Sequence, residues 1–187
     1  MAAILAIERY IPPFRYDQEM VTEWIKAWLT EIPGHDSARL LSVYAAAGVK
    51  TRGSVAPIEE VLWPKDFETQ NDRYRESMIA AGTDVARRAL VGSGLSPREI
   101  GLVVSVSCTG LMIPAVDAYV ADALGLGPRL VRLPITEAGC AGGVVGLARA
   151  ADFLSVHPEQ AALVLALEFA SLTFQRWDRS ATNVISA

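Results

Sequence analysis

The chain is poor in the residues that build metal sites and disulfide frameworks. Its 187 residues include two cysteines, Cys108 and Cys140, and two histidines, His35 and His157. With no Cys-x-x-Cys pair and no Cys/His cluster, no metal is expected. A basic excess is missing as well. Lys and Arg number 17 against 21 Asp and Glu, a net charge of −4, which leaves no electrostatic footprint for nucleic acid. No apolar run reaches about 18 residues, so no membrane span is expected. The apolar stretch 1–7 lacks the basic flank of a secretory signal and reads as a first strand. The expected setting is a reducing, cytoplasmic one, in which a Cys108–Cys140 disulfide is not anticipated. Internal repeats and low-complexity segments are also lacking. What remains is 51% hydrophobic and 20% charged, enough for one domain with a real core.

The apolar pattern divides the chain in two. Over 17–31, Val21, Trp24, Ile25, Trp28 and Leu29 recur at helical spacing behind Asp17, and Pro33-Gly34 stops the run. A second helix is expected over Ser37–Ala47 with Gly48 as its C-cap. Residues 49–69, with Pro57 and Pro64, read as irregular, and a third helix as running from Asn71 to Val91. From residue 96 the period changes. Leu102–Ser107 is a β-branched run without polar alternation, which suits a strand buried on both faces. A helix over 114–124, a strand over 130–135, a helix over 140–156 and a strand over 161–167 follow. The expected class is therefore α/β: a helical N-terminal decoration over 1–95, then a βαβαβ core over 96–187 with helices packed on a parallel or mixed sheet.

Cys140 stands out within that core. It lies in Glu137-Ala138-Gly139-Cys140-Ala141-Gly142-Gly143, between a strand and a long helix. Unpaired N–H groups at a helix start favour an anion, and small neighbours let a substrate approach. A covalent acyl-transfer nucleophile needs both. A buried core thiol is the competing reading, since free cysteine is among the most buried residue types. Ligands of open sheets bind beyond the C-terminal strand ends. Cys108 with Thr109, Cys140 and Glu168 follow the three core strands and should meet at one rim.

Four segments carry a resemblance. They are Val49-Lys50-Thr51-Arg52 with Pro57-Ile58-Glu59-Glu60, Val106-Ser107-Cys108-Thr109-Gly110-Leu111-Met112-Ile113-Pro114, Leu133–Gly143, and Glu168-Phe169-Ala170-Ser171-Leu172-Thr173-Phe174. In this order they resemble the type III polyketide synthases, the chalcone synthase-like family, in its bacterial form. The resemblance covers nearly the whole chain and is weakest before residue 38. It implies the N-terminal half of a thiolase-like fold over 1–187, with a mixed sheet and packed helices. It also implies a homodimeric acyltransferase that condenses an acyl-CoA starter with malonyl-CoA. Coenzyme A thioesters are then substrates, and no separate cofactor is implied.

The resemblance assigns roles position by position. Cys140 matches the nucleophile. Lys50 and Arg52 match basic residues that meet coenzyme A phosphates, with a solvated loop pair as the alternative. Cys108 and Thr109 match the wall of the initiation cavity, and Ile113 a residue that reaches across the dimer. Ala170 and Thr173 match positions that shape the acyl pockets. Glu168 matches a glutamate near the site, expected to be buried and supporting rather than a general base. Ala141 and Ala170 depart from the plant pattern, where a phenylalanine and a hydroxyl are common. Both departures would enlarge or dry the pocket for longer starters.

The family reaction also needs a histidine and an asparagine from a C-terminal half. His157 lies one helix length, about 25 Å, from Cys140, and His35 lies in a loop, so both read as surface residues. The chain is accordingly read as an N-terminal half, inactive alone, with an apolar face meant for the other half. The alternatives are a β-ketoacyl synthase III-like condensing enzyme and a non-catalytic half-domain partner in a heteromer. Starter, number of extensions and cyclisation stay open, because pocket volume decides them.

Overall fold

The computed structural model describes residues 2–30, 37–63, 65–178, 180, 182 and 183. Pro33, Gly34, His35 and Pro64, which figure in the expectations above, lie outside the described residues. The chain folds as two units. One comprises Met1–Tyr10 with Asn71–Glu168, and the other Ile11–Gln70 with Phe169–Ala187. The helical stretch expected over 1–95 thus contributes to both.

The first unit is built on a three-stranded sheet. β3 (Ile100–Val106) lies between β4 (Val131–Ile135) and β5 (Ala161–Ala166), parallel to each. All seven residues of β3 are buried, which is why its sequence shows no polar alternation. Leu102, Val104 and Val106 point to one face, where Ala150, Phe153 and Val164 close a core. Burial of each such aliphatic side chain contributes about 1.5–3 kcal/mol. That face is covered by α6 (Gly142–Val156), whose buried residues are Gly142, Gly146 and Ala150. This stripe of small residues, four apart, lets the helix backbone settle on the strand. A methyl group on Gly142 would overlap the Val106 side chain. One on Gly146 would sit 3.3 Å from methyls of Val104, Val106 and Val164. The opposite face meets α5 (Val116–Ala123) and α4 (Phe67–Ser93), whose buried Tyr74, Met78, Ala81 and Val85 recur at helical spacing.

The second unit pairs β1 (Phe14–Asp17) with β2 (Thr51–Ser54) in an antiparallel ribbon. α1 (Gln18–Thr30) follows β1 and buries Ile25, Trp28 and Leu29. α2 (Ser37–Ala46) ends before Gly48, which takes a positive φ of 64° as a C-cap requires. Parallel and antiparallel pairing are both present, in separate sheets.

Some expectations are corrected. Residues 2–7 form no strand. Among the described residues no strand pairs with them to make the backbone bonds that a strand needs. Ala6 instead lies against Gly92, and Glu8 pairs with Arg88. The stretch 49–69 is not irregular, since it holds β2 and α3 (Ile58–Leu62). Pro57 sits at the N-cap of α3, so this proline starts a helix. α4 begins at Phe67, earlier than Asn71, because Asp66 Oδ1 accepts the Thr69 N–H at 2.7 Å. The stretch Gly139–Val156 is long and apolar enough, by length and composition, to cross a membrane, contrary to expectation. Its glycine stripe on β3 and its Arg149–Asp152 pair, 2.9 Å apart, make it a sheet-covering helix here.

The close approach of α6 gives a contrast. Gly142→Ala should lower stability by about 1–3 kcal/mol through overpacking. Gly143→Ala, whose new methyl would lie 3.9 Å from Ala166 Cβ, should stay within about 1 kcal/mol of the parent. Urea unfolding midpoints of the two variants test this. Equal midpoints would mean that the helix is free to lift from the sheet.

Candidate active site

The register of the parallel sheet places Val106, Ile135 and Ala166 side by side, at the C-terminal end of each strand. Ser107 N–H donates to Ile135 O at 3.2 Å and Leu167 N–H to Val106 O at 3.1 Å, which carries the alignment past the last strand residues. The three segments beyond them therefore leave at one rim, as expected. They bear Cys108 and Thr109, then Cys140, then Glu168.

Cys140 is exposed, which removes the core-thiol reading. It sits in a single 3-10 turn, Gly139–Ala141, that leads into α6 rather than in the helix itself. Gly139 makes the turn with a φ of 53°, a conformation that side chains disfavour. Ala141 is exposed beside it.

Glu168 organises the neighbouring turn. Its Oε1 and Oε2 accept the Cys108 N–H at 3.0 and 3.1 Å. Oε2 also accepts from Thr109 Oγ1 at 2.7 Å and Ser107 Oγ at 3.2 Å. The expectation of a buried carboxylate is wrong, because Glu168 is exposed at the rim. Its expected need for hydrogen-bond partners is met in full. Burial pushes the Cys108 thiol above the ordinary thiol range, and the Glu168 charge beside it, with the charges at Cys140 and Glu137, pushes the same way. Cys108 is thereby kept protonated, which suits a wall residue.

Behind the turn lies a layer that the sequence reading missed. Tyr74, buried on α4, donates its hydroxyl to Ser107 Oγ at 2.9 Å. Ser105 Oγ donates to Asp117 Oδ1 at 3.1 Å, and Asp117 is 1% exposed. Arg132 Nε lies 3.4 Å from Asp117 Oδ2, close enough for an ion pair but not aligned for a hydrogen bond. The signal was present in the sequence. Ser105 and Ser107 are two apart in a valine run, so both point to the same face of the strand. A small cavity of about 20 Å³, room for one water, lies among Tyr74, Ser107, Met112, Val116, Pro134 and Thr136.

The remaining candidates fall elsewhere. Ile113 is 97% exposed and takes no part in the Glu168 network. Lys50, Arg52, Ala170 and Thr173 belong to the second unit. Lys50 is exposed, while Arg52 is half-buried, donates from Nε to Gln18 Oε1 at 2.8 Å and lies over the Tyr44 ring. Lys50 is thus the freer of the two to meet an anion. Ala170 and Thr173 bracket a 3-10 turn closed by Thr173 Oγ1 donating to Ala170 O at 2.7 Å. His157 is exposed, as expected. Among the described residues no group of three or more His, Cys, Asp or Glu is placed to hold a metal.

Residues 63–185 match the N-terminal domain of chalcone and stilbene synthases. The chain is similar to 1,3,6,8-tetrahydroxynaphthalene synthase of Streptomyces peucetius subsp. caesius, 36% identical over 98% of this chain and 48% of that protein. Phloroglucinol synthase of Pseudomonas fluorescens is 33% identical over 74% of this chain and 40% of its own length. Among solved structures, tetrahydroxynaphthalene synthase of Streptomyces coelicolor A3(2) superposes with a TM-score of 0.87 at 31% identity, covering 94% of this chain and 50% of that one. Germicidin synthase of the same organism, at 22% identity and a TM-score of 0.81, shares the fold. These are thiolase-like folds, and the chain has the N-terminal half of that fold. It spans about half the length of the curated relatives it matches.

The electrostatics of the rim set a pH dependence. The raised Cys108 pKa means that its alkylation by iodoacetamide should climb only above the ordinary thiol range. Glu168→Gln removes a negative charge that disfavours the thiolate, so the Cys108 profile should move to lower pH. Peptide mapping after timed alkylation reads both sites. An unmoved Cys108 profile in Glu168→Gln would remove the electrostatic role given to Glu168.

Proposed function

The chain belongs to the chalcone and stilbene synthase family, as its N-terminal domain, and from that premise we propose that it carries the nucleophile of a type III polyketide synthase. The observation that supports this most is Cys140, exposed at the strand-end rim next to a turn fixed by Glu168. In the proposed reaction the Cys140 thiolate attacks the carbonyl of an acyl-CoA. The acyl carbon–sulfur bond to coenzyme A breaks, and coenzyme A leaves and takes a proton. Malonyl-CoA then loses CO₂. The resulting carbanion attacks the Cys140 thioester, so a carbon–carbon bond forms as the bond to Cys140 Sγ breaks. A thiolate suits both steps, as a strong nucleophile whose thioester remains electrophilic. No cofactor beyond the coenzyme A substrates is called for.

The proposal extends to what this chain does not supply. Thiol activation and stabilisation of the carbanion are assigned to a histidine and an asparagine on a C-terminal half. The α6 surface bearing Val144, Val145 and Leu147 is exposed and apolar, and it is the face proposed to receive that half. Homodimerisation, with Ile113 at the contact, and a cytoplasmic setting belong to the same reading. Lys50 is proposed to meet the coenzyme A phosphates, and Ala170 and Thr173 to shape the acyl pocket.

Intact-mass spectrometry after incubation with a panel of acyl-CoAs tests the proposal. The chain and its Cys140→Ala variant are each assayed alone and with a polypeptide carrying the C-terminal half. An acyl adduct on the parent and none on Cys140→Ala is expected once the second half is supplied. No adduct in either condition, with Cys140 still alkylated by iodoacetamide, would overturn the proposal in favour of a non-catalytic partner. In the same assay Ala170→Thr should narrow acceptance to shorter acyl groups, and an unchanged chain-length preference would remove Ala170 from the pocket.

A further inference from the structure

The turn that bears Cys108 and Thr109 is held from two sides, and only the Glu168 side was legible in the sequence. On the other side stands Tyr74, whose ring and hydroxyl engage different parts of the turn. The hydroxyl donates to Ser107 Oγ at 2.9 Å, and Ser107 passes its own proton toward Glu168 Oε2 at 3.2 Å. The ring lies flat under Gly110, so closely that a methyl group on Gly110 would overlap it. Next to Gly110, the Leu111 N–H is held by Asn71 Oδ1 at 2.8 Å, and Asn71 Nδ2 donates back to Leu111 O at 3.0 Å. Asn71 and Tyr74 are one turn apart on α4, so one helix face supports the whole stretch from Ser107 to Leu111.

We infer that Tyr74 is a positioning residue for the wall of the site: its hydroxyl acting through Ser107, and its ring under Gly110, fix the turn that presents Cys108 and Thr109. The inference rests on the proposed acyl-transfer site for its meaning. Its geometry stands on the hydrogen bonds and the ring contact alone. Tyr74 is given no contact with substrate. It acts by sharing Ser107 with Glu168, so that the carboxylate, the serine and the backbone N–H of Cys108 move as one piece. Cys108 reactivity, set in part by how Glu168 is held against its backbone N–H, is therefore the property that should respond to Tyr74, while Cys140, hung on a separate strand end, should not.

The test is the ratio of Cys108 to Cys140 alkylation by iodoacetamide in the 187-residue chain, read by peptide mapping. Tyr74→Phe keeps the ring and deletes the hydroxyl. It should raise the ratio about fivefold, the equivalent of one neutral hydrogen bond, through faster reaction at Cys108. Ser107→Ala breaks the same contact from the strand end and should raise it at least as far. The double variant Tyr74→Phe/Ser107→Ala should match Ser107→Ala, because both changes act through one bond. A role confined to packing would lower the thermal midpoint of both variants and leave the ratio at its parent value, and that result overturns the inference. Independent, multiplying effects in the double variant overturn it too. Should Tyr74→Phe fail to fold, an unchanged ratio in Ser107→Ala is sufficient to overturn it. The ratio needs no acylation, so failure of Cys140 to take an acyl group sinks the proposed function and leaves this test standing.

Discussion

The backbone of α6 lies almost in contact with β3, and the position of Cys140 depends on that approach. Gly142 and Gly146 leave no side chain between helix and sheet, and Ala150 continues the stripe. The strand answers with Val104 and Val106, and β5 with Val164. Interiors are packed to crystal density, so a helix seated this way has little freedom to slide or lift. Cys140 hangs from the first turn of that seat. Its place at the rim is therefore set by valines and glycines, none of which is polar or titratable. The proposed chemistry would borrow its precision from apolar packing, as sites built on sheet and helix ends generally do.

One carboxylate then holds the turn that bears the second thiol, Cys108. Glu168 accepts from a backbone N–H and two hydroxyls, and most of its lone-pair capacity is taken. A carboxylate so occupied holds a turn better than it removes a proton. Its charge also disfavours a second negative charge on Cys108. The group that orders the turn thus adds to burial in raising the Cys108 thiol.

The sequence showed those features that depend on periodicity and missed those that depend on a partner. Val21, Ile25, Trp28 and Leu29 announced α1, and the unbroken valine run of β3 announced a strand covered on both faces. The apolar start at Ile4, Leu5 and Ile7 looked equally like a strand, yet hydrophobicity alone does not say whether a neighbouring strand exists. Pro57 reads as a breaker in the sequence, although a proline can close one element and open the next. Glu168 was expected to be buried because its strand is apolar, but the strand ends just before it. Tyr74 and Ser107 stand 33 residues apart. No local pattern joins them, although the spacing of Ser105 and Ser107 did mark a polar seam on one strand face.

Four titratable groups of the Cys140-bearing unit are committed elsewhere or lie away from the thiol. Moving a proton off a thiol needs a base within hydrogen-bond reach. Glu168 is committed to the Cys108 turn. Burial holds the Tyr74 phenol above its ordinary range, and its hydrogen already points at Ser107. Asp117 is sealed behind β3 with Ser105 and Arg132. His157 caps the far end of α6, 15 residues of helix away, which at about 1.5 Å per residue is more than 20 Å. Each of these four groups is either occupied or out of reach. The unit supplies an exposed thiol at Cys140, a hydrogen-bonded turn beside it and a second thiol, Cys108, raised above its ordinary range. The proposed function therefore assigns proton transfer to the other half, and the apolar face of α6, exposed at Val144, Val145 and Leu147, is where that proposal mounts it.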